Sequence, residues 1–122
     1  MIQIKRAYDP ASSSDGTRIL VDRLWPRGLS KEKLKLDLWL KDAGPSTALR
    51  QWFSHDPERW AEFQQRYLDE LKHSPDSWKP ILEAAGECNV TFVFGSKGSA
   101  HNNAVVLQKF LQPKLRTLKS RK

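Results

Sequence analysis

Residues 22–28, with the sequence Asp-Arg-Leu-Trp-Pro-Arg-Gly, form the segment of the chain best suited to bind an anion. They follow the apolar residues 19–21 directly, and ligand sites commonly lie where the strands of a sheet end. Arg23 and Arg27 could together hold a phosphate or carboxylate, with Asp22 orienting one guanidinium group. The alternative is an internal ion pair at the end of a strand, in which Asp22 neutralises one of the two arginines. The segment locates a candidate site without defining its reaction.

A second polar segment, residues 96–103, follows the apolar run 90–94 and leads into a helical pattern. Lys97 would add a positive charge, and the unpaired N–H groups of a helix N-terminus favour a bound anion. His101 could act as an acid, a base or a ligand donor, so His101 and Asp22 are the candidate catalytic residues. The candidate ligand-binding residues of the whole chain are Arg23, Trp25, Arg27, Arg50, Ser96, Lys97, His101, Asn102 and Asn103.

Aromatic residues beside these positive charges have two interpretations. Trp25 could stack on a base or ring of a ligand, whereas an indole beside the rigid Pro26 turn more often covers the core. Arg50 and Trp52 follow Pro45 and carry the same two interpretations. A phosphate-bearing or nucleotide-like ligand fits the pattern as a whole.

The sequence argues against several other chemistries. Ser96 has no Ser-His-Asp spacing or nucleophile elbow around it, and residues 95–98 lack the complete Walker pattern. No carboxylate or cysteine follows Cys88, so neither a metal nor a cofactor is predicted. Cys88 itself precedes an apolar run and is predicted to be a buried structural thiol. His55 and His73 are predicted to be surface residues near helix ends.

The composition predicts one soluble domain. The chain has 122 residues, of which 39% are hydrophobic, and this suits a single core. Its one cysteine cannot form an internal disulfide, and its five tryptophans and five phenylalanines supply a core without covalent staples. No segment approaches the roughly 20 apolar residues needed to span a bilayer, and none resembles a signal sequence. We therefore expect a cytoplasmic protein that does not interact with a membrane.

Two apolar runs separated by a mainly helical region predict a small layered α/β domain, with a short, mainly parallel or mixed sheet packed by helices. Strands are predicted at residues 2–8, 17–22 and 90–95, and residues 34–40 are predicted to be extended. Too few residues separate the first two strands for a helical crossover, so we expect them to be antiparallel neighbours or to share a sheet at its edge. If the strands at 17–22 and 90–95 are parallel neighbours, their carboxyl ends bring the two polar segments together.

Caps and apolar spacing predict the helices. Ser46 is a candidate cap for a short helix at residues 47–53. Asp56 and Pro57 are suited to begin a long helix that reaches about Lys72. The apolar stripe of that helix comprises Trp60, Phe63, Tyr67 and Leu71. Two further helices are predicted, at residues 77–86 and 104–111.

The net charge of +7 is concentrated near the end of the chain. Residues 1–87 contain 14 basic and 14 acidic residues, whereas residues 88–122 contain seven basic residues and no acid. We predict a single domain at residues 1–113 followed by a basic tail at residues 114–122. Such a tail would make weak contact with the phosphates of nucleic acid.

A family resemblance rests on six segments, at residues 5–10, 22–28, 45–53, 63–71, 96–103 and 101–107. Together they resemble the short YeaO-like branch of the bacterial "domain of unknown function 488" family, over most of the chain. The resemblance implies a compact bacterial α/β domain and assigns no activity. Longer relatives carry Cys-His-Arg near the start of the last helix, where this chain has His101, Asn102 and Asn103. Cysteine chemistry is therefore not implied for this chain.

Three classes of function agree with the sequence. The first is a small enzyme or binding protein for an anionic ligand, which the two polar segments favour. The second is a nucleic-acid-binding protein that uses the basic C-terminal region. The third is an interaction module without chemistry, for which the polar loops are structural.

Overall fold

A four-stranded sheet forms the centre of the protein. The computed structural model describes residues 2–54, 56–96 and 101–120. The strands are β1 (Ile2–Arg6), β2 (Thr17–Leu20), β3 (Leu38–Trp39) and β4 (Val90–Phe94). Their order across the sheet is β1-β4-β2-β3, and every neighbouring pair is parallel. This confirms the predicted α/β class.

Five α-helices surround the sheet in the described part of the chain. They are α1 (Lys31–Leu34), α2 (Thr47–Phe53), α3 (Trp60–His73), α4 (Lys79–Glu87) and α5 (Asn103–Ser120). The predicted helix at residues 47–53 is confirmed, with the Ser46 hydroxyl accepting a hydrogen bond from the Leu49 N–H. Asp56 caps a short 3-10 turn, Pro57–Arg59, which leads directly into α3.

The helices α2 to α5 pack on one face of the sheet and form the main core. Ile19 and Phe92 lie opposite each other on β2 and β4, and both are buried on this face. The predicted apolar stripe of α3 is confirmed, because Phe63, Tyr67 and Leu71 are buried in the same cluster. All five residues of β4 are buried, as expected for a central strand covered on both sides.

A smaller core lies on the opposite face of the sheet. Leu20 and Val93 point to this side and pack against Leu34 of α1. The half-buried indoles of Trp25 and Trp39 complete the cluster. The segment after β2 therefore passes over the second face before the chain returns to β3.

Two expectations about the strands are wrong in part. β1 and β2 share the sheet but are not antiparallel neighbours, because β4 lies between them and pairs with both in parallel. Of residues 34–40, only Leu38–Trp39 forms a strand. Leu34 is instead the last residue of α1, and Lys35 caps that helix in the left-handed conformation with φ of 49°. The cap from Ser30 outweighs the alternating apolar pattern here.

The prediction of a buried Cys88 is also wrong. Its thiol is exposed, at 3.2 Å from the Thr17 hydroxyl, because Cys88 caps the C-terminal end of α4 and lies two residues before β4 begins. His73 is exposed in the last turn of α3. His55 lies outside the described residues.

The last helix continues well beyond the apolar segment from which it was predicted. α5 runs through Pro113 to Ser120, and Leu115 is buried in the main core. The predicted boundary between domain and tail, at residue 113, therefore falls inside a helix. Among the described helices, none has the length and apolar character required to cross a bilayer.

Candidate functional site

A cleft of about 490 Å³ opens at the carboxyl ends of β2 and β4. Because these strands are parallel neighbours, the segments that follow them meet at one edge of the sheet. Helix α2 and the N-terminus of α5 close the cleft on the helical side. Its lining includes Asp22, Arg23, Trp25, Arg27, Arg50, Ser96, His101, Asn102 and Asn103. Lys97 lies outside the described residues.

Asp22 joins the two polar segments. Its Oδ2 accepts a 2.8 Å hydrogen bond from the Gly95 N–H, and its backbone carbonyl accepts one of 2.7 Å from Trp39 Nε1. A Cβ added to Gly95 would lie 3.4 Å from the same carboxylate oxygen. The Asp22 carboxylate is therefore engaged in holding the loop after β4 against the loop after β2.

Arg23 connects the site to the segment before α2. Its Nε donates a 2.6 Å hydrogen bond to the Pro45 carbonyl, and its Nη1 lies 3.4 Å from Asp42 Oδ1. Arg23 is therefore not the arginine that Asp22 neutralises in the alternative interpretation, because its partners belong to a different segment. Arg23 contributes positive charge to the cleft while its position is set by Pro45.

The guanidinium groups of Arg27 and Arg50 have no bonding partner among the described residues. The Arg27 side chain is exposed, and Arg50 is partly exposed on α2. Neither guanidinium forms an ion pair or hydrogen bond with a residue in the described ranges. The backbone of Arg27 is held separately, because its carbonyl accepts a 2.8 Å hydrogen bond from the Tyr8 hydroxyl. Both guanidinium groups are available to a ligand.

Trp25 serves the second core and also borders the cleft. Its Nε1 donates a 2.6 Å hydrogen bond to the Leu29 carbonyl, which closes the turn after β2. Its ring meets Trp39 edge-on, with centroids 5.3 Å apart. The covering of the core expected for this indole is observed, and the part that lines the cleft remains open to a ligand.

The start of α5 contributes both structural and exposed side chains. Asn102 is buried, and its Oδ1 accepts a 3.1 Å hydrogen bond from the Val105 N–H. Asn103 donates to the Val21 carbonyl at 3.0 Å and so ties α5 to the end of β2. His101 is exposed, and its ring stacks on Trp60 at a centroid distance of 4.7 Å and an angle of 22°. The two asparagines therefore stabilise the local structure of the site, whereas the exposed imidazole lines the cleft.

The end of β1 supplies contacts that the sequence interpretation missed. Tyr8 lines the cleft, and Arg6 Nε donates a 3.1 Å hydrogen bond to the Ser96 carbonyl. The guanidinium of Arg6 also lies 5.3 Å from the centre of the Tyr8 ring. If β1 were antiparallel to β2, Arg6 and Tyr8 would lie at the opposite end of the strands from the cleft. The expectation of an antiparallel pair is therefore the reason why these residues were not predicted to border it. Applying the strand-end rule to β1 would have found Tyr8.

Apolar residues from α2 and α3 form another part of the lining that the sequence did not indicate. Phe53 and Phe63 stack at a centroid distance of 4.4 Å and border the cleft from the helical side. Both belong to the main core, which is the role expected of Phe63 from its place in the α3 stripe. No three His, Cys, Asp or Glu side chains are grouped to hold a metal ion in the part of the chain that the structure describes.

Comparison with known proteins agrees with the fold and the motifs. A family model described as "Inactive DUF488-N3 subclade" matches residues 1–122. "Uncharacterized protein YeaO" of Escherichia coli K12 is 44% identical over 111 residues, which cover 91% of this chain and 96% of the relative. "Uncharacterized protein Rv3073c" of Mycobacterium tuberculosis H37Rv is 37% identical over 110 residues, which cover 90% and 92%. No solved structure matches at a significant level. The chain belongs to the inactive DUF488-N3 subclade of this bacterial family.

Proposed function

We propose that this protein binds a small phosphate ester in the cleft at the carboxyl ends of β2 and β4, without converting it chemically. The observation that carries the proposal is the pair of guanidinium groups, on Arg27 and Arg50, that face a concave site without an acidic partner in the described residues. Arginine is suited to bind phosphate or carboxylate through two parallel hydrogen bonds.

The charge around the cleft favours an anion over a cation. Among the described lining residues, Arg23, Arg27 and Arg50 are basic and Asp22 is acidic. The Asp22 carboxylate already accepts a hydrogen bond from Gly95, which leaves the arginines in excess. A bound anion would compensate positive charge that the fold itself leaves unbalanced.

The side chains of the cleft support binding rather than turnover. His101 is held by stacking on Trp60, and the described residues give its imidazole no carboxylate to orient it as a base. Asp22 and Asn102 are engaged by backbone N–H groups. The word "inactive" in the description of the subclade agrees with a site that has kept its shape without a reacting group.

A thermal unfolding screen with inorganic phosphate, sugar phosphates and nucleotides tests the proposal. A ligand present at about 100 times its Kd adds about 2.7 kcal/mol of stability, which raises Tm measurably. We expect phosphate esters to raise Tm, the ligand to be recovered unchanged, and Arg50→Ala to remove most of the rise. Arg116→Ala is the matched control, because Arg116 is exposed on α5 and does not line the cleft.

Two results would contradict the proposal. Equal Tm shifts in wild type, Arg50→Ala and Arg116→Ala would place the binding elsewhere on the protein. Conversion of the ligand during incubation, lost on substitution of Asp22 or His101, would make the protein an enzyme.

A second candidate function is weak binding of nucleic acid by the basic C-terminal region. Lys109, Lys114 and Arg116 are exposed on α5, and no acidic residue follows Glu87 in the chain. Such a surface attracts phosphate groups without reading bases. The presence of a cleft at the strand ends makes the third class, an interaction module without a ligand, the least favoured.

A further inference from the structure

We infer that the phosphate ester bound in the cleft carries a planar aromatic ring, which stacks on the imidazole of His101. A nucleoside monophosphate is the ligand class with this chemistry. The inference rests on the proposed function, since it names the second half of a ligand whose anionic half the arginines would hold.

A series of stacked rings ends at the cleft. Phe53 stacks on Phe63 at 4.4 Å and 23°, Phe63 on Trp60 at 5.6 Å and 23°, and Trp60 on His101 at 4.7 Å and 22°. Phe53 and Phe63 are buried, Trp60 is partly buried, and His101 is exposed. The series therefore begins in the main core and finishes with a ring in contact with solvent.

His101 occupies the position of a stacking platform. Trp60 covers one face of its ring, and the imidazole is exposed and lines the cleft. A flat ligand in the cleft would therefore stack on the face away from Trp60. The imidazole forms no hydrogen bond with a described residue that would turn the ring away from this stacked orientation. A ring held flat by an aromatic neighbour can stack on a nucleobase with little loss of its own freedom.

The size and walls of the cleft fit the same ligand class. Its volume of about 490 Å³ lies within the range typical of sites for small organic molecules, and inorganic phosphate would leave most of it empty. Leu24, Pro26 and Phe53 give the lining apolar surface beside the arginines. An ester with both a phosphate and an aromatic ring covers both kinds of surface.

Calorimetric titration with three probes separates the ring from the phosphate. We expect AMP to bind the wild-type protein about five-fold or more tighter than ribose phosphate, and ribose phosphate to bind tighter than inorganic phosphate. His101→Ala should reduce the affinity for AMP to that for ribose phosphate and leave ribose phosphate unchanged. His101→Phe should preserve the preference for AMP, because phenylalanine keeps the stacking face and removes the ring nitrogens.

The outcomes distinguish this inference from the proposed function. If ribose phosphate binds as tightly as AMP, the anion site stands and the ring inference is wrong. If His101→Phe loses the preference as fully as His101→Ala while both variants keep the wild-type Tm, the imidazole acts through its nitrogens and stacking is contradicted. If none of the three probes binds, the anion site fails and the ring inference fails with it.

Discussion

Arg27 is the most exposed of the three arginines that line the cleft, and its guanidinium forms no hydrogen bond or ion pair with a described residue. Buried Pro26 precedes it, and Gly28 follows with a φ of 82°, a conformation that glycine adopts without strain. The hydrogen bond from Tyr8 reaches the Arg27 carbonyl, so the turn does not depend on the guanidinium. We therefore predict that Arg27→Ala changes the free energy of unfolding by no more than about 1 kcal/mol and weakens ligand binding severalfold or more.

Denaturant unfolding and ligand titration on the same variant check this prediction. Arg23→Ala is an instructive comparison, because its Nε donates to Pro45 and its loss should cost about 1 kcal/mol or more of stability. A loss of several kcal/mol in Arg27→Ala with unchanged ligand affinity would identify Arg27 as a structural residue instead.

The sequence could place residues in the site better than it could assign what each one does. Arg23, Arg27 and His101 all line the cleft, as their positions after the two apolar strands predict. Asn102 and Asn103 lie there too, but their amides bond to Val105 and Val21. These hydrogen bonds depend on which residues lie close together in the folded protein. The spacing of residues along the chain does not reveal them.

The position of β1 shows why strand order was harder to predict than strand positions. Only ten residues separate β1 from β2, which favours a direct antiparallel pairing. The structure instead places β4, which comes 69 residues after β2, between the two strands. In the central position, residues Val90 to Phe94 are buried on both faces of the sheet. The free energy gained by this burial outweighs the preference of β1 and β2 for direct pairing through a short connection.

The segment after β1 braces the turn after β2, and this can be tested by Tyr8→Phe. The substitution removes the hydroxyl that donates to the Arg27 carbonyl and keeps the ring. We predict a loss of about 1 kcal/mol in stability and weaker binding of AMP, because the turn no longer holds Arg27 over the cleft. The effect on AMP binding should be much smaller in an Arg27→Ala background.

A double-mutant cycle of binding free energies measures this coupling. Additive effects of Tyr8→Phe and Arg27→Ala would show that Tyr8 does not act through Arg27. In that case the brace would be a feature of stability alone.

A buried ion network lies near the amino ends of β2 and β4, away from the cleft. The Asp15 carboxylate accepts hydrogen bonds from Lys5 Nζ at 2.8 Å, Arg18 Nη1 at 2.6 Å and the Ser12 N–H at 2.9 Å. Burial raises the pKa of Asp15, but the bonds from Lys5, Ser12 and Arg18 outweigh burial and hold that pKa below its usual value. The ionised form is therefore favoured by the fold.

This network predicts loss of stability in acid. A carboxylate with a lowered pKa stabilises the fold fully above its unfolded pKa, near 4, and this contribution is lost as the pH falls through the lower folded value. Asp15→Asn should cost about 3 kcal/mol at neutral pH, because Arg18 is left buried without its charge partner. Unfolding experiments between neutral pH and about pH 2 should show a smaller acid-induced loss in Asp15→Asn than in wild type. Parallel pH profiles of the two proteins would contradict this role.

Helix α5 both packs against the main core and carries most of the excess positive charge. Because Leu115 is buried, truncation after Pro113 would remove part of the core together with the charges. A better test replaces the last five basic residues by glutamine, at Lys114, Arg116, Lys119, Arg121 and Lys122. We predict that this variant keeps the wild-type Tm and binds labelled DNA more weakly, with a shallower dependence on salt.

Fluorescence anisotropy at several salt concentrations checks the effect of these charges. Equal affinities and equal salt slopes for the two proteins would show that the basic residues do not contact nucleic acid. The cleft proposal would be unaffected by that result, since it rests on Arg27 and Arg50.

The class of the whole fold was accessible from sequence because it depends on local patterns. Apolar runs, the Ser46 cap and the α3 stripe each predicted an element that the structure contains. The shape of the cleft depends instead on how loops after three strands meet, and on two phenylalanines shared between core and site. These features follow from packing and were beyond the reach of local patterns.

The most direct test of the proposed ligand site is a titration of isotope-labelled protein with AMP, followed by the backbone amide NMR signals. A ligand in the cleft should shift the amide signals of Arg27, Gly95 and Asn103, which line it, and of Gly28, which follows Arg27 in the turn after β2. The amide signals of Gly16 and Asn89 should not change, because these residues lie at the opposite ends of β2 and β4. Shifts confined to residues outside the cleft, or no shift at millimolar AMP, would contradict the assignment of this cleft as the ligand site.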